Sequence, residues 1–164
     1  MYSENTPLKP EQQKDFKGLK YFPGNLKYQT EARLTKFPDQ EVVAMKTSGD
    51  RLPEYVVFGE LTFTIDGQEL TLKVYQSKKL LIVKNEDPTL FIPFKDETSS
   101  KETYGGGRYV DCRIPAEGEL VIIDFNKAYN PYCAYNEKYS CVLPPEENRL
   151  PIRIEAGEKI FEEH

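Results

Sequence analysis

The sequence predicts an all-β domain: an antiparallel sandwich or partly closed, barrel-like roll of about 8–10 strands with one short N-terminal helix. Three observations predict it. Short runs of β-branched and aromatic residues recur about every 8–12 residues, each bounded by Pro, Gly, Asn or Asp. No helical pattern of roughly 10–15 residues separates them, which disfavours a parallel α/β sheet. The stretch ELTFTIDGQELTLKVY, residues 60–75, reads as a β-hairpin by both its turn and its alternation.

The elements follow in order within a single domain spanning 1–164. Residues 9–20, KPEQQKDFKGLK, form the one reasonable helical stretch, which is short and contains a breaker at Gly18. From residue 25 the period becomes two. Leu26, Tyr28, Thr30, Ala32 and Leu34 alternate with Lys27, Gln29, Glu31 and Arg33, as in a half-buried strand. Glu41–Thr47 is a second strand. In the hairpin, Asp66-Gly67 suits a two-residue type I′ turn, which pairs residues whose numbers sum to 133. Phe63 then faces Leu70, Leu61 faces Leu72 and Gly59 faces Val74. The other face pairs Thr62 with Thr71 and Glu60 with Lys73, a register that cross-strand pairing favours. Runs at Leu80–Val83, Leu90–Phe94, Gly107–Ile114 and Glu119–Phe125 complete a β meander over residues 25–125. An ordered loop follows at 126–149, and Leu150–Glu155 is expected as the final strand.

Composition narrows the function classes. A net charge of -5 with interspersed signs lacks the basic stripe that phosphate neutralisation needs, which argues against a nucleic-acid partner. The longest apolar runs, Leu80–Val83 and Val121–Ile123, are far below the roughly 20 residues of a membrane span. The opening MYSENTPLKPEQQ has neither the basic nor the apolar region of a signal peptide, and three cysteines make no dense even framework. A reducing, cytoplasmic setting is the expectation, with export open if a segment precedes this chain. The one histidine is His164, at the end of the chain, so Ser-His, Cys-His and His-ligated metal chemistry are poor hypotheses. No metal site and no particular cofactor is expected.

Residues 96–148 depart from a plain β pattern. Six of the eleven Tyr fall between 104 and 139 and four of the seven Asn between 126 and 148, which marks the region as the candidate site. Its first part is DETSSKETYGGGRY. Gly105, Gly106 and Gly107 could turn their N–H groups toward one anion, and Arg108, flanked by Tyr104 and Tyr109, would add a planar donor fork. Against this stands a simpler reading: a tight turn before a strand, with Arg108 in a structural ion pair to Asp96 or Asp111. The second part is DFNKAYNPYCAYNEKYSCVLPPEENRLP, residues 124–151. Asp124, Asn126, Tyr129, Asn130, Tyr135 and Asn136 could converge with Arg108 on an aromatic-walled pocket, or could merely satisfy loop backbone. Asp124, Asn126 and Asn130 also sit at positions 1, 3 and 7 of a calcium loop. Tyr129 and Tyr135 stand where its Gly and Glu belong, so that geometry is absent. Cys133 and Cys141 are open to three readings: two buried thiols, a disulfide, or a reactive thiol pair.

The run LFIPFKDETSSKETYGGGRY together with DFNKAYNPYCAYNEKYSCVLPPEENRLPIRIEAGEK resembles the family of uncharacterised bacterial and archaeal proteins called domain of unknown function 1684. PLKPEQQKDFKGLKYFP and VVAMKTSGD are similar to its pattern too, so the resemblance covers Pro7 to Lys159. Its most characteristic positions in this chain are Tyr104, Gly106 to Tyr109, Asp124, Asn126, Ala128 to Pro131, Cys133 to Tyr135, Cys141, Pro144, Pro145 and Asn148. The resemblance implies no activity or cofactor, and motif positions are as readily structural as functional.

Three functions are weighed. The leading one is binding of a small, anionic molecule at the Gly105–Arg108 and Asp124–Asn136 region, with catalysis, if any, carried by Asp124, Tyr135 or Cys133. The second is an interaction or scaffold domain whose Tyr-rich loop is a contact surface or purely structural. The third is a thiol redox role for Cys133 and Cys141.

Overall fold

The computed structural model describes residues 20–77, 89–115, 118–134 and 140–160. The helix expected over 9–20, residue 20 aside, and the strand expected at Leu80–Val83 lie outside the described residues. Among the described residues seven strands form one antiparallel sheet: β1 Gln29–Lys36, β2 Val42–Ala44, β3 Glu54–Ile65, β4 Gln68–Ser77, β5 Thr89–Phe94, β6 Arg108–Arg113 and β7 Leu120–Asp124. The path across it is β6-β5-β4-β3-β1-β7, with β2 alongside β3. The sheet curls into a half-barrel, so that its edge strands β6 and β7 approach each other. The 25–125 segment is therefore only partly a meander. β3 to β6 are sequential neighbours, whereas β1 lies on the far side of β3 and β7 crosses to pair with β1.

The β3–β4 hairpin has the register that its turn dictates. Phe63 faces Leu70, Leu61 faces Leu72, Glu60 faces Lys73 and Gly59 faces Val74. Asp66 and Gly67 take φ of 51° and 77°, the left-handed pair of a type I′ turn. Beyond Gly59 the ladder shifts by one residue, a bulge between Val57 and Gly59. Gly59 is dictated by the crossing of β1, because a Cβ there would stand 2.3 Å from the Thr35 carbonyl oxygen.

β1 starts three residues later than the alternation begins. Asn25 accepts from the Lys27 N–H at 3.0 Å and turns Leu26–Tyr28 into a 3-10 helix. Asn126 fastens that turn from a hundred residues away: its Oδ1 accepts the Asn25 N–H at 3.0 Å and its Nδ2 donates to the Asn25 carbonyl at 2.9 Å.

Residues Leu150–Glu155 do not form the expected strand. Leu150 and Ile154 are buried as a strand pattern would have them, but their backbone pairs elsewhere. Leu150 N–H reaches the Lys95 carbonyl, Ile154 N–H donates to the Asp96 carboxylate at 2.6 Å, and the Ile154 carbonyl accepts from Arg108. A short parallel pairing with Lys95–Glu97, in which Glu97 N–H donates to the Ile152 carbonyl at 2.9 Å, and these side-chain bonds take the place of a regular strand. The main core fills the concave face, with Leu61, Leu72, Leu90, Ile92, Phe94, Ile123 and Phe125 essentially unexposed. A second, smaller cluster of Met45, Tyr75, Tyr109 and Val142 is bordered by Tyr55, Val57 and Phe91, and the segment from Cys141 onward runs over it.

Candidate functional site

The triple glycine and Arg108 build structure rather than an open cradle. Gly107 has φ of +94°, and a Cβ there would stand 2.8 Å from the Phe94 carbonyl and 2.6 Å from Pro144 Cγ. Close packing, not a bound anion, accounts for that glycine. Arg108 is 1% exposed. Its guanidinium donates to the carbonyls of Ala156, Glu158 (3.3 Å) and Ile154 (3.0 Å), lies 3.6 Å from Asp96 Oδ1 and stacks 5.3 Å from the centre of the Phe94 ring. Burial pulls its pKa down, and the charges of Asp96 and Glu158 oppose that. Asp96 is equally enclosed and accepts from Thr98 Oγ1 at 2.9 Å as well as from Ile154 N–H. The ion pair to Asp96 weighed from sequence is thus present, and it anchors the chain's last described segment.

Asp124 has different company. Its Oδ1 accepts from the backbone N–H and the side-chain amide of Asn126, both at 3.0 Å, which caps the 3-10 turn Phe125–Lys127. It borders a hollow of about 480 Å3 at the seam between β6 and β7, lined also by Asp111, Cys112, Arg113 and Lys127 but not by Arg108. The structure does not bring the guanidinium and this carboxylate together. Tyr104 is half-buried, with its hydroxyl pKa raised by burial. Tyr135 and Asn136 lie outside the described residues.

Cys133 and Cys141 are joined in a disulfide, with Cα atoms 6.2 Å apart. Oxidised pairing sits badly with the reducing setting expected from cysteine count. The bridge is tied to residues 47–51. Ser48 N–H donates to the Cys141 carbonyl at 2.9 Å, Cys141 N–H donates to Ser48 Oγ at 3.1 Å, and Thr47 bridges Val142. Cys112 is a buried free thiol whose pKa is pushed up to about 12, first by desolvation and then by Asp111, so it is poorly suited to nucleophilic work.

What the structure does assemble is a hollow of about 520 Å3 walled by Tyr55, Phe91, Tyr109, Tyr129, Pro131 and Val142, with Arg51, Asn130, Ser140 and Cys141 completing it. The rings form a chain. Tyr55 stacks on Phe91 at 5.4 Å, Phe91 meets Tyr109 edge-on at 4.7 Å, and Tyr109 meets Tyr129 edge-on at 5.8 Å. Sheet register places them: Tyr109 and Tyr129 exchange both backbone hydrogen bonds at 2.9 Å, which adds the post-β7 loop to β6. The Tyr109 hydroxyl donates to the Val142 carbonyl at 2.6 Å, and the Tyr129 hydroxyl donates to Asp111 Oδ2 at 3.0 Å. Burial raises the pKa of Tyr55, Tyr109 and Tyr129, so their hydroxyls stay protonated donors. Asp111 is raised too, chiefly by desolvation, against the pull of the Tyr129 bond. Arg51 is exposed, and one N–H of its guanidinium donates to the Ser140 carbonyl at 2.6 Å. Among the described residues no group of three His, Cys, Asp or Glu side chains is placed to hold a metal ion.

Of the candidate site residues singled out by sequence, Tyr109, Tyr129, Asn130 and Cys141 border this hollow. Arg51, Tyr55 and Phe91 were missed. Arg51 follows directly on VVAMKTSGD, a stretch read partly as the strand Glu41–Thr47 and through the family resemblance; Phe91 read as an ordinary strand residue, and Tyr55 stands between the predicted strands. Their signal is positional: the ladder sets Tyr75 opposite Phe91, and Tyr55 lies two residues from Tyr75's partner Val57, on the same face.

The architecture is thus that of an all-β half-barrel with an aromatic hollow on its outer face. The family model described as "Protein of unknown function (DUF1684)" matches residues 14–159, and the chain belongs to that family. It is also similar to a solved structure, the solution NMR structure of an uncharacterised protein from Haloarcula marismortui. The two share 38% sequence identity and a TM-score of 0.78, over 99% of this chain and 88% of that one. No curated protein matches the chain. Among the described residues, no helix is long and apolar enough to cross a membrane.

Proposed function

We propose that this protein binds a small molecule with a planar body and an anionic group in the hollow between Tyr55, Phe91, Tyr109 and Tyr129. The observation that carries the reading is Arg51. An arginine with one N–H engaged by the Ser140 carbonyl borders a hollow walled by four aromatic rings together with Pro131 and Val142. Its remaining donors suit a carboxylate or phosphate, and the ring faces suit a planar body. This reading keeps the anionic ligand expected from sequence and moves its anchor from Arg108 to Arg51. Tyr109, Tyr129 and Asn130 stay in the site. Gly105–Arg108 hold β6 beneath it.

Benzoate and its neutral isostere benzamide test the assignment in an amide-resolved NMR titration of the intact chain. Benzoate should shift resonances of Tyr55, Phe91, Tyr109 and Tyr129 saturably. Arg51→Met should weaken it about tenfold, and benzamide should bind the wild type no better than benzoate binds that variant. Equal binding of the two probes, or no saturable shift at those four residues, sinks the proposal.

A further inference from the structure

Tyr129 walls the aromatic hollow, and its hydroxyl ends on Asp111, which in turn lines the hollow of about 480 Å3 at the β6–β7 seam. The two spaces meet at this bond of 3.0 Å. Register puts Asp111 on the face that bears the rings: it stands directly opposite Phe91 and two residues from Tyr109 along β6. The aromatic cluster therefore has an acidic edge as well as the basic one supplied by Arg51.

Asp111 is short of partners. Its Oδ2 accepts from Tyr129, while its Oδ1 accepts no hydrogen bond among the described residues. Arg113 and Lys127 border the same seam hollow, yet neither forms an ion pair with it. The residue is exposed, so an incoming group can reach it; even so, burial of its carboxyl pushes the pKa up, and the Tyr129 bond only partly opposes this. A carboxylate held partly out of water with no cation beside it attracts a cationic ligand more strongly than a fully solvated one does. Both charges are felt at the Tyr55 hydroxyl, whose pKa Arg51 lowers and Asp111 raises, so one ring of the cluster lies within reach of the two. What matches Asp111 is a cation. A second anion would be repelled, and a plain hydrocarbon would cover Oδ1 without supplying a donor.

We infer, resting on the reading of the aromatic hollow given above, that its ligand is a zwitterion: an aromatic acid whose carboxylate meets Arg51 and whose short aminoalkyl arm passes the Tyr129 hydroxyl and sets its ammonium on Asp111. Asp111 is then a specificity-determining residue, and Tyr129 holds its carboxylate in position.

The probes are para-aminomethylbenzoate and para-aminoethylbenzoate, titrated into the intact chain beside para-ethylbenzoate and para-propylbenzoate, which match them in shape without the charge. At least one amine should bind about fivefold more tightly than its alkyl counterpart and should shift the Asp111 amide in addition to those of Tyr55, Phe91, Tyr109 and Tyr129. Asp111→Asn keeps an acceptor for Tyr129 and should bring the amines down to the affinity of their counterparts. The inference is overturned if neither amine gains over its counterpart in the wild type. It is equally overturned if the gain survives in Asp111→Asn, because the chain's net charge of -5 would then be its source. Benzoate separates the two readings. Saturable benzoate shifts without any gain for the amines remove the zwitterion alone, whereas no benzoate shift at all removes both.

Discussion

Replacing Arg108 by methionine removes the donors from the carbonyls of Ile154, Ala156 and Glu158 and strands the buried Asp96 carboxylate. Loss of one partner of a buried pair typically costs about 3–5 kcal/mol. Urea unfolding should show a loss of that size, while benzoate binding per folded molecule should be unchanged. Glu158 offers a pH test. It is 2% exposed, accepts the Asn130 N–H at 2.8 Å, and its pKa is raised from 4.5 to about 7, with desolvation outweighing the Asn130 bond and the Arg108 charge. Between those values the folded chain holds a proton that the unfolded chain has lost. This contribution is therefore complete below pH 4.5 and disappears as pH rises through about 7. The ceiling is about 3 kcal/mol. Denaturant midpoints from pH 4.5 to 8.5 should decline for the wild type along this curve, and Glu158→Gln should flatten the decline. Glu158's role was not legible in sequence. For Arg108 the ion pair to Asp96 was legible, but its carbonyl partners lie 46 to 50 positions away, in and just beyond a stretch that reads as a plain strand.

At the scale of elements, local chemistry carried the hairpin and failed at the ends. Asp66-Gly67 and the alternation around it specify one register, because a slip by one residue would turn Phe63, Leu61 and Leu72 to the wrong face. The 3-10 turn before β1 and the irregular path of residues 150–155 depend on Asn126, Asp96 and Arg108, which no window around those elements contains. Asn148 is another such long-range clasp. Its Oδ1 accepts the Lys73 N–H at 2.8 Å, and its Nδ2 donates to the carbonyls of Lys73 and Pro93, both at 2.9 Å. It stitches β4 to β5 where the ladder between them consists of the single Tyr75–Phe91 pair. Asn148→Ala leaves three backbone groups wanting and should cost about 2–4 kcal/mol. Hydrogen exchange should report the damage at Lys73 while leaving the β3–β4 turn protected.

For the whole molecule, the Cys133–Cys141 bridge decides how firmly the outer-face segment is held. It closes a loop with a sequence separation of 8. Opening a loop of that size restores entropy to the unfolded chain worth about 2–3 kcal/mol. Unfolding in the presence of a phosphine reductant should be easier by that amount. Because Ser140, which accepts from Arg51, and Cys141 both border the aromatic hollow, benzoate should also bind the reduced chain more weakly.

By itself the sequence determined the all-β class, the hairpin register and the concentration of tyrosine and asparagine after β7, because period-two alternation and turn chemistry act between near neighbours. Family membership was legible for a related reason, since motif residues are read one by one. Only the tertiary structure decided that Arg108 is an interior clasp, and that a ring from β3, one from β5, one from β6 and one from the loop after β7 border the same hollow as Arg51. That placement is set by a curled antiparallel sheet, in which residues dozens of positions apart come within one strand spacing and side-chain charges compete for the same buried backbone.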